Sequence, residues 1–195
     1  FQLATNAGLD WTGMRRIAQG RPAGLAAREL TALRLALASL SFALLLGVAW
    51  LLPQPGIGRL LACYGVLLFC GAASLRWAFL AEERGQVVAV LGVLGQLFFL
   101  AEIVVLVRGP DDLWRLPWIH FLSELLVVGG LAMVFRRALA APSAPQAWTP
   151  LLREALPIGL TQMFGQVIFN ADVILLGFLG YLSQVGYYAA AYRIV

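Results

Sequence analysis

The side chains able to do chemistry in this chain are few, and those that matter sit inside apolar stretches. Glu124 falls near the middle of the run Leu116–Phe135. A carboxylate at the centre of a bilayer costs at least ~2.5–3.5 kcal/mol, so it needs a cavity or a partner. His120 stands one helical turn earlier, on a stripe with Pro117 and Ser123. A histidine–glutamate pair so spaced can exchange a proton between about pH 5 and 8. A hydrogen-bonded pair with a purely structural role is the competing reading.

The segment Leu156–Gly180 is the most polar of the apolar stretches and the richest in glycine. Gly159, Gln162, Gly165, Gln166 and Phe169 share a broad face at helical spacing, with Asn170 and Asp172 on its flanks. At ~100° per residue those two point about 200° apart, so one lines a cavity while the other serves a neighbouring helix. Thr161 and Pro157 account for part of the polarity structurally, by bonding backbone carbonyls and by standing near a helix start. Asp172, with no cation in its own stretch, reads as functional. On Gly85–Val107 the residues Gly92, Gly95, Gln96, Phe99 and Glu102 fall on one face. Small residues there suit close helix packing, and Gln96 and Glu102 need water or partners. For Glu102, near the stretch's end, a carboxylate reaching the membrane surface is an equal alternative.

The elements that must position these groups are membrane spans. Five stretches, Leu35–Leu52, Leu60–Leu80, Gly85–Val107, Leu116–Phe135 and Leu156–Gly180, each approach the ~20 residues that cross a bilayer as a helix. Another begins at Tyr181 and stops at Val195. With 61% hydrophobic and 12% charged residues, a soluble domain would carry more apolar surface than one core hides. The expectation is an all-α integral membrane protein, a polytopic helical bundle. Because the chain opens at Phe1 and stops within an apolar run, it is expected to be an internal piece of a longer protein.

All fourteen basic residues are arginine, and their distribution orients the spans. Arg15, Arg16, Arg21, Arg28 and Arg34 precede the first; Arg59 follows it; Arg76 and Arg84, then Arg108 and Arg115, then Arg136, Arg137 and Arg153 occupy the later breaks. The positive-inside rule places the first, third and fifth groups in the cytoplasm. Scattered over span ends, these arginines form no stripe for nucleic acid; they suit topology and anionic lipid headgroups, or the approach path of an anionic substrate. Trp50, Trp77, Trp114, Trp118 and Trp148 read as the interfacial belt. Cys63 and Cys70 lie about 10 Å apart along one helix, too far for a disulfide, and no His, Asp or Glu joins them for a metal. They read as packing residues. Pro142, Pro145 and Pro150 mark the longest break, a connector between lobes.

Several motifs in order then make a resemblance. Gly8-Leu-Asp-Trp-Thr-Gly-Met-Arg-Arg-Ile-Ala, Arg76-Trp-Ala-Phe-Leu-Ala-Glu-Glu-Arg and Gly109-Pro-Asp-Asp-Leu-Trp come first. Leu156-Pro-Ile-Gly-Leu, Phe169-Asn-Ala-Asp-Val-Ile-Leu-Leu-Gly and Val185-Gly-Tyr-Tyr-Ala-Ala-Ala-Tyr-Arg follow. The chain resembles the polysaccharide and oligosaccharide flippases of the multidrug/oligosaccharidyl-lipid/polysaccharide superfamily, the group of the O-antigen lipid-carrier flippases.

That resemblance implies a two-lobe transporter fold of which this chain covers about helices three to eight. Residues 1–135 would belong to the N-terminal lobe, 136–153 to a cytoplasmic inter-lobe connector and 154–195 to the start of the C-terminal lobe. It implies transport of an undecaprenyl-diphosphate-linked oligosaccharide from the cytoplasmic to the periplasmic leaflet by alternating access, for O-antigen or exopolysaccharide synthesis in a bacterial inner membrane. Partners would be membrane lipids, the lipid-linked oligosaccharide, and the polymerase and glycosyltransferases of the same pathway, with no nucleic acid. No enzyme activity, cofactor or metal is expected, and a sodium or proton gradient is the candidate energy source. Of the arginines inside motif matches, Arg15, Arg16 and Arg193 are candidates for the diphosphate, onto which guanidinium forks. The alternatives are a drug/cation antiporter or lipid II flippase of the same superfamily and, more remotely, a membrane-embedded glycan polymerase. The visible loops are too short for the domain such an enzyme needs.

Overall fold

Leu9–Ala18 opens the series of helices as α1, and a tight turn returns the chain into α2, Ala23–Leu51. The turn is made by Gly20 at φ 92°, whose N–H donates to the Ile17 carbonyl while Arg21 N–H donates to Arg16 O, the pattern that closes a helix C-terminus through a left-handed residue. Pro22 then starts α2, its carbonyl accepting from Leu25 and Ala26, and an alanine- and leucine-rich sequence carries the helix onward. The computed structural model describes residues 5–6, 8–51, 55–139 and 148–178.

Three short helices follow in line: α3, Pro55–Gly65; α4, Leu67–Ala73; and α5, Arg76–Ala81. Together they make the second apolar span, interrupted at Val66 and again at Ser74–Leu75. A second tight turn leads into α6, Gly85–Leu106, and it repeats the first one's hydrogen bonding. Glu83 N–H donates to Leu80 O and Arg84 N–H to Phe79 O, with Glu83 at φ 58° in place of a glycine. Replacing Glu83 with glycine removes the left-handed penalty of a side chain, and we expect a stabilisation of about 1 kcal/mol, read as a higher melting temperature of the purified protein.

A 3₁₀ turn, Pro110–Arg115, precedes α7, Leu116–Leu139. Helices α6 and α7 form a close hairpin in which Gly95 meets Val127 and Gly130 meets Leu91, small residues admitting large ones across the crossing. Then come α8, Trp148–Phe169, and α9, Ala171–Phe178. The described residues up to Gly159 form one compact unit and those from Leu160 a second. Of the connector expected at 136–153, residues 140–147 lie outside the described ones; 136–139 complete α7 and 148–153 begin α8.

Among the described residues there is no strand, and four helical segments are long and apolar enough to cross a membrane: Ala23–Leu51, Gly56–Ala81, Gly85–Leu106 and Leu116–Arg137. The chain is an all-α, multi-pass membrane protein. Its fifth apolar stretch is interrupted at Asn170, so the angular separation of Asn170 and Asp172 expected for one continuous helix does not apply. The remaining stretch, from Tyr181, lies outside the described residues.

The main core gathers where α1, α5 and the adjoining parts of α2, α7 and α8 meet, around Leu9, Leu30, Leu33, Phe79, Leu131 and Leu151. Trp77 belongs to this core at 3% exposure, which corrects its reading as an interfacial belt residue. Gly13 leaves no room for a Cβ beside its ring, so α1 and α5 touch almost backbone to ring. Trp50, Trp114, Trp118 and Trp148 are exposed. Both cysteines are free thiols, Cys70 buried and Cys63 partly so.

Candidate functional site

The two short helices α1 and α5 begin alike, with Leu9-Asp10-Trp11 and Leu75-Arg76-Trp77. Each thereby sets a charged side chain at its first turn, Asp10 in α1 and Arg76 in α5. Asp10 Oδ1 lies 3.0 Å from Arg34 Nη1 of α2, an ion pair whose angle falls short of a hydrogen bond. Asn6 Nδ2 donates to the other carboxylate oxygen at 2.8 Å. Arg76 Nη2 donates to both oxygens of Glu124 on α7, at 3.1 and 3.0 Å.

Arg34 explains the break between α4 and α5. Ending α4 at Ala73 frees carbonyls inside the second apolar span, where lipid offers them nothing. Arg34 Nη2 donates to Gly71 O at 2.7 Å and Nη1 to Ser74 O at 3.0 Å. The guanidinium thus caps α4 as a cation at a helix C-terminus while its charge is balanced by Asp10. It is 5% exposed, so it is no loop residue and does not count toward orientation; nor does Arg76. Removing both from the loop arginines leaves Arg84 alone in the middle cytoplasmic group against Arg108 and Arg115. The arginines of the first and last groups then carry the orientation.

Around these pairs lie two adjoining hollows of about 280 Å³ each. One is walled by Asp10, Arg34, Ser74, Arg76 and Trp77; the other by Tyr64, Ser74, Arg76, His120 and Glu124. Arg76 and Ser74 are common to both, so the hollows make one polar recess among α1, α2, the α4–α5 break and α7. Within its walls Arg34 Nε, Ser74 Oγ and Trp77 Nε1 are buried and have no hydrogen-bond partner among the described residues.

His120 and Glu124 both line the recess, and the partner of both Glu124 oxygens is Arg76. His120 is also braced by Phe99 of α6, ring centroids 5.1 Å apart. The other candidates lie elsewhere. Glu102 is held by Ser123, which shares its hydroxyl between Glu102 Oε2 at 2.8 Å and the Ile119 carbonyl at 3.0 Å; this ties α6 to α7. Gln96 is exposed on the apolar outer face of α6. In the second unit, Asn170 Nδ2 donates to the backbone and side-chain oxygens of Gln166, at 2.8 and 3.2 Å. Gln162 and Asp172 are partly buried there. Arg15 is exposed on α1, whereas Arg16 reaches Glu154 of α8 through Nε and Nη2 at 3.3 and 3.0 Å. Arg193 lies outside the described residues.

Asp10, Arg34 and Arg76 are the members that spacing alone does not select. A signal was present for the two arginines: Arg34 continues the buried face of Leu30 and Leu33, and Arg76 lies within the apolar stretch Leu60–Leu80. Among the described residues no group of His, Cys, Asp and Glu could hold a metal ion.

The model of a family described as polysaccharide biosynthesis protein matches residues 56–195 of the chain. No curated protein matches it, and no solved structure does.

Proposed function

Because the chain belongs to the polysaccharide biosynthesis protein family, we propose that it carries an undecaprenyl-diphosphate-linked oligosaccharide from the cytoplasmic to the periplasmic leaflet of a bacterial inner membrane. Two lobes would alternate access to the cargo, and no bond of it would be made or broken. The observation that supports this reading is the polar recess itself. Four charged side chains, Asp10, Arg34, Arg76 and Glu124, are held in pairs among helices whose other faces are apolar. Partly buried ion pairs are poor packing devices, since desolvation offsets much of their attraction. A polar path through the membrane is a reason to keep them.

Arg15, exposed at the end taken as cytoplasmic, would meet a diphosphate arriving from that side, and Arg16 stands beside it bound to Glu154. Gln162, Gln166, Asn170 and Asp172 are the polar candidates of the second unit. Substituting Glu124 with Gln in the full-length protein is expected to lower surface glycan at least tenfold while the amount of protein in the membrane stays unchanged. Normal surface glycan in that strain would remove Glu124, and with it the recess, from the transport path.

A further inference from the structure

We infer that the recess formed by Asp10, Arg34, Arg76 and Glu124 receives a sugar ring of the cargo through its hydroxyl groups, and that it does not bind the diphosphate. This rests on the flippase reading above and adds which part of the substrate the recess handles.

Charge balance is the first argument. Two arginines and two carboxylates line the recess, each in an ion pair at 3.0 Å. No surplus positive charge is left for a phosphate. To fork onto one, Arg76 would have to leave Glu124 and leave that carboxylate beside a second anion, a like-charge arrangement in a medium that screens poorly. A sugar hydroxyl meets no such conflict. It donates to a carboxylate oxygen and accepts from a guanidinium N–H in the same contact, and an ion pair offers both partners side by side.

Unused hydrogen-bonding capacity is the second. Ser74 Oγ, Arg34 Nε and Trp77 Nε1 have no partner among the described residues, although groups so buried are nearly always satisfied. They are covered, so a guest reaches them only as side chains shift. The groups it meets first are Arg76 and Glu124, the partly exposed pair, with His120 and the exposed Tyr64 beside them. Tyr64 adds an aromatic face and a hydroxyl, the combination that accepts both the apolar and the polar sides of a pyranose.

Size is the third. Each hollow, about 280 Å³, falls just below the ~300–1,000 Å³ of drug-sized ligand sites. That is room for a single ring in each hollow and not for an oligosaccharide, so the remaining sugars would lie outside.

The test uses the full-length protein in lipid nanodiscs and two probes. One is undecaprenyl diphosphate; the other is the undecaprenyl-diphosphate-linked glycan extracted from cells lacking the transporter. Wild type is expected to bind the glycosylated probe at least tenfold more tightly than the bare one. Tyr64→Ala, away from the ion pairs, is expected to erase that preference while affinity for undecaprenyl diphosphate stays within twofold; Glu124→Gln, which frees Arg76 of its counter-charge, is expected to erase it by weakening the glycosylated probe and strengthening the bare one. Heated samples monitored by size-exclusion chromatography confirm that the variants are folded, and Tyr64→Ala carries the test should Glu124→Gln not be. Loss of affinity for both probes alike, or an unchanged preference, overturns the sugar assignment but leaves the flippase reading standing. Wild type that binds neither probe overturns both.

Discussion

Arg34→Ala is expected to destabilise the protein by about 3–5 kcal/mol, the range seen when one member of a buried pair is removed. The side chain is 5% exposed and serves three partners: the Asp10 carboxylate and the carbonyls of Gly71 and Ser74. Its loss leaves Asp10 with Asn6 alone and the last carbonyls of α4 without their donor. Arg34→Lys keeps the charge but not the planar fork that reaches two carbonyls and a carboxylate at once, so an intermediate loss is expected. Asp10→Asn retains the cap on α4 and should cost less than Arg34→Ala. The checks are the amount of full-length protein in the membrane fraction and the fraction surviving heating as a monodisperse species. Were Arg34→Ala to match wild type in both, the break at Ser74 would not depend on this guanidinium.

Gly8→Ala is expected to rank next, at about 2–4 kcal/mol, from two independent causes. Gly8 has φ 77°, where an L side chain is strained. A Cβ there would also lie 2.6 Å from Ala155 O and 2.6 Å from Gly159 N. Both are backbone atoms of α8, so no rotamer change makes room. Ala155 and Gly159, one turn apart, are the small residues that let α8 approach this closely. Gly20→Ala separates the causes: its φ is 92° but nothing lies within 4 Å of the added atom, leaving only the conformational cost of about 1–2 kcal/mol. The comparison is made on melting temperatures of the two purified variants. Equal shifts would mean that the contact with α8 contributes nothing.

How far the site was readable depends on what each residue's signal was. Glu124 and His120 were legible because a carboxylate in the middle of an apolar run is conspicuous, and one-turn spacing puts a neighbour on its face. Arg76, Glu124's partner, was hidden by a rule applied outside its range. Positive residues near span ends usually mark loops, and only the interruption at Ser74 shows that Arg76 starts a helix continuing the span. Asp10 and Arg34 were hidden for a related reason: they lie 24 positions apart, and nothing local says that α1 folds back along α2. Glu102, which read equally well as reaching the membrane surface, has its partner in Ser123, on the neighbouring helix of the hairpin.

By itself the sequence determined that the chain is helical and spans a membrane several times, because hydrocarbon admits only backbones that satisfy their own hydrogen bonds, and runs of ~20 apolar residues declare that need locally. It also determined which side chains would be costly within those runs. Only the tertiary structure decided how the cost is met: Arg34 spent on the broken end of α4, Arg76 on Glu124, Ser123 on Glu102, and Trp77 withdrawn into the core. Each of these depends on which helices lie side by side. Helix formation is written in neighbours along the chain, but the partner of a buried charge is set by packing between segments far apart in it.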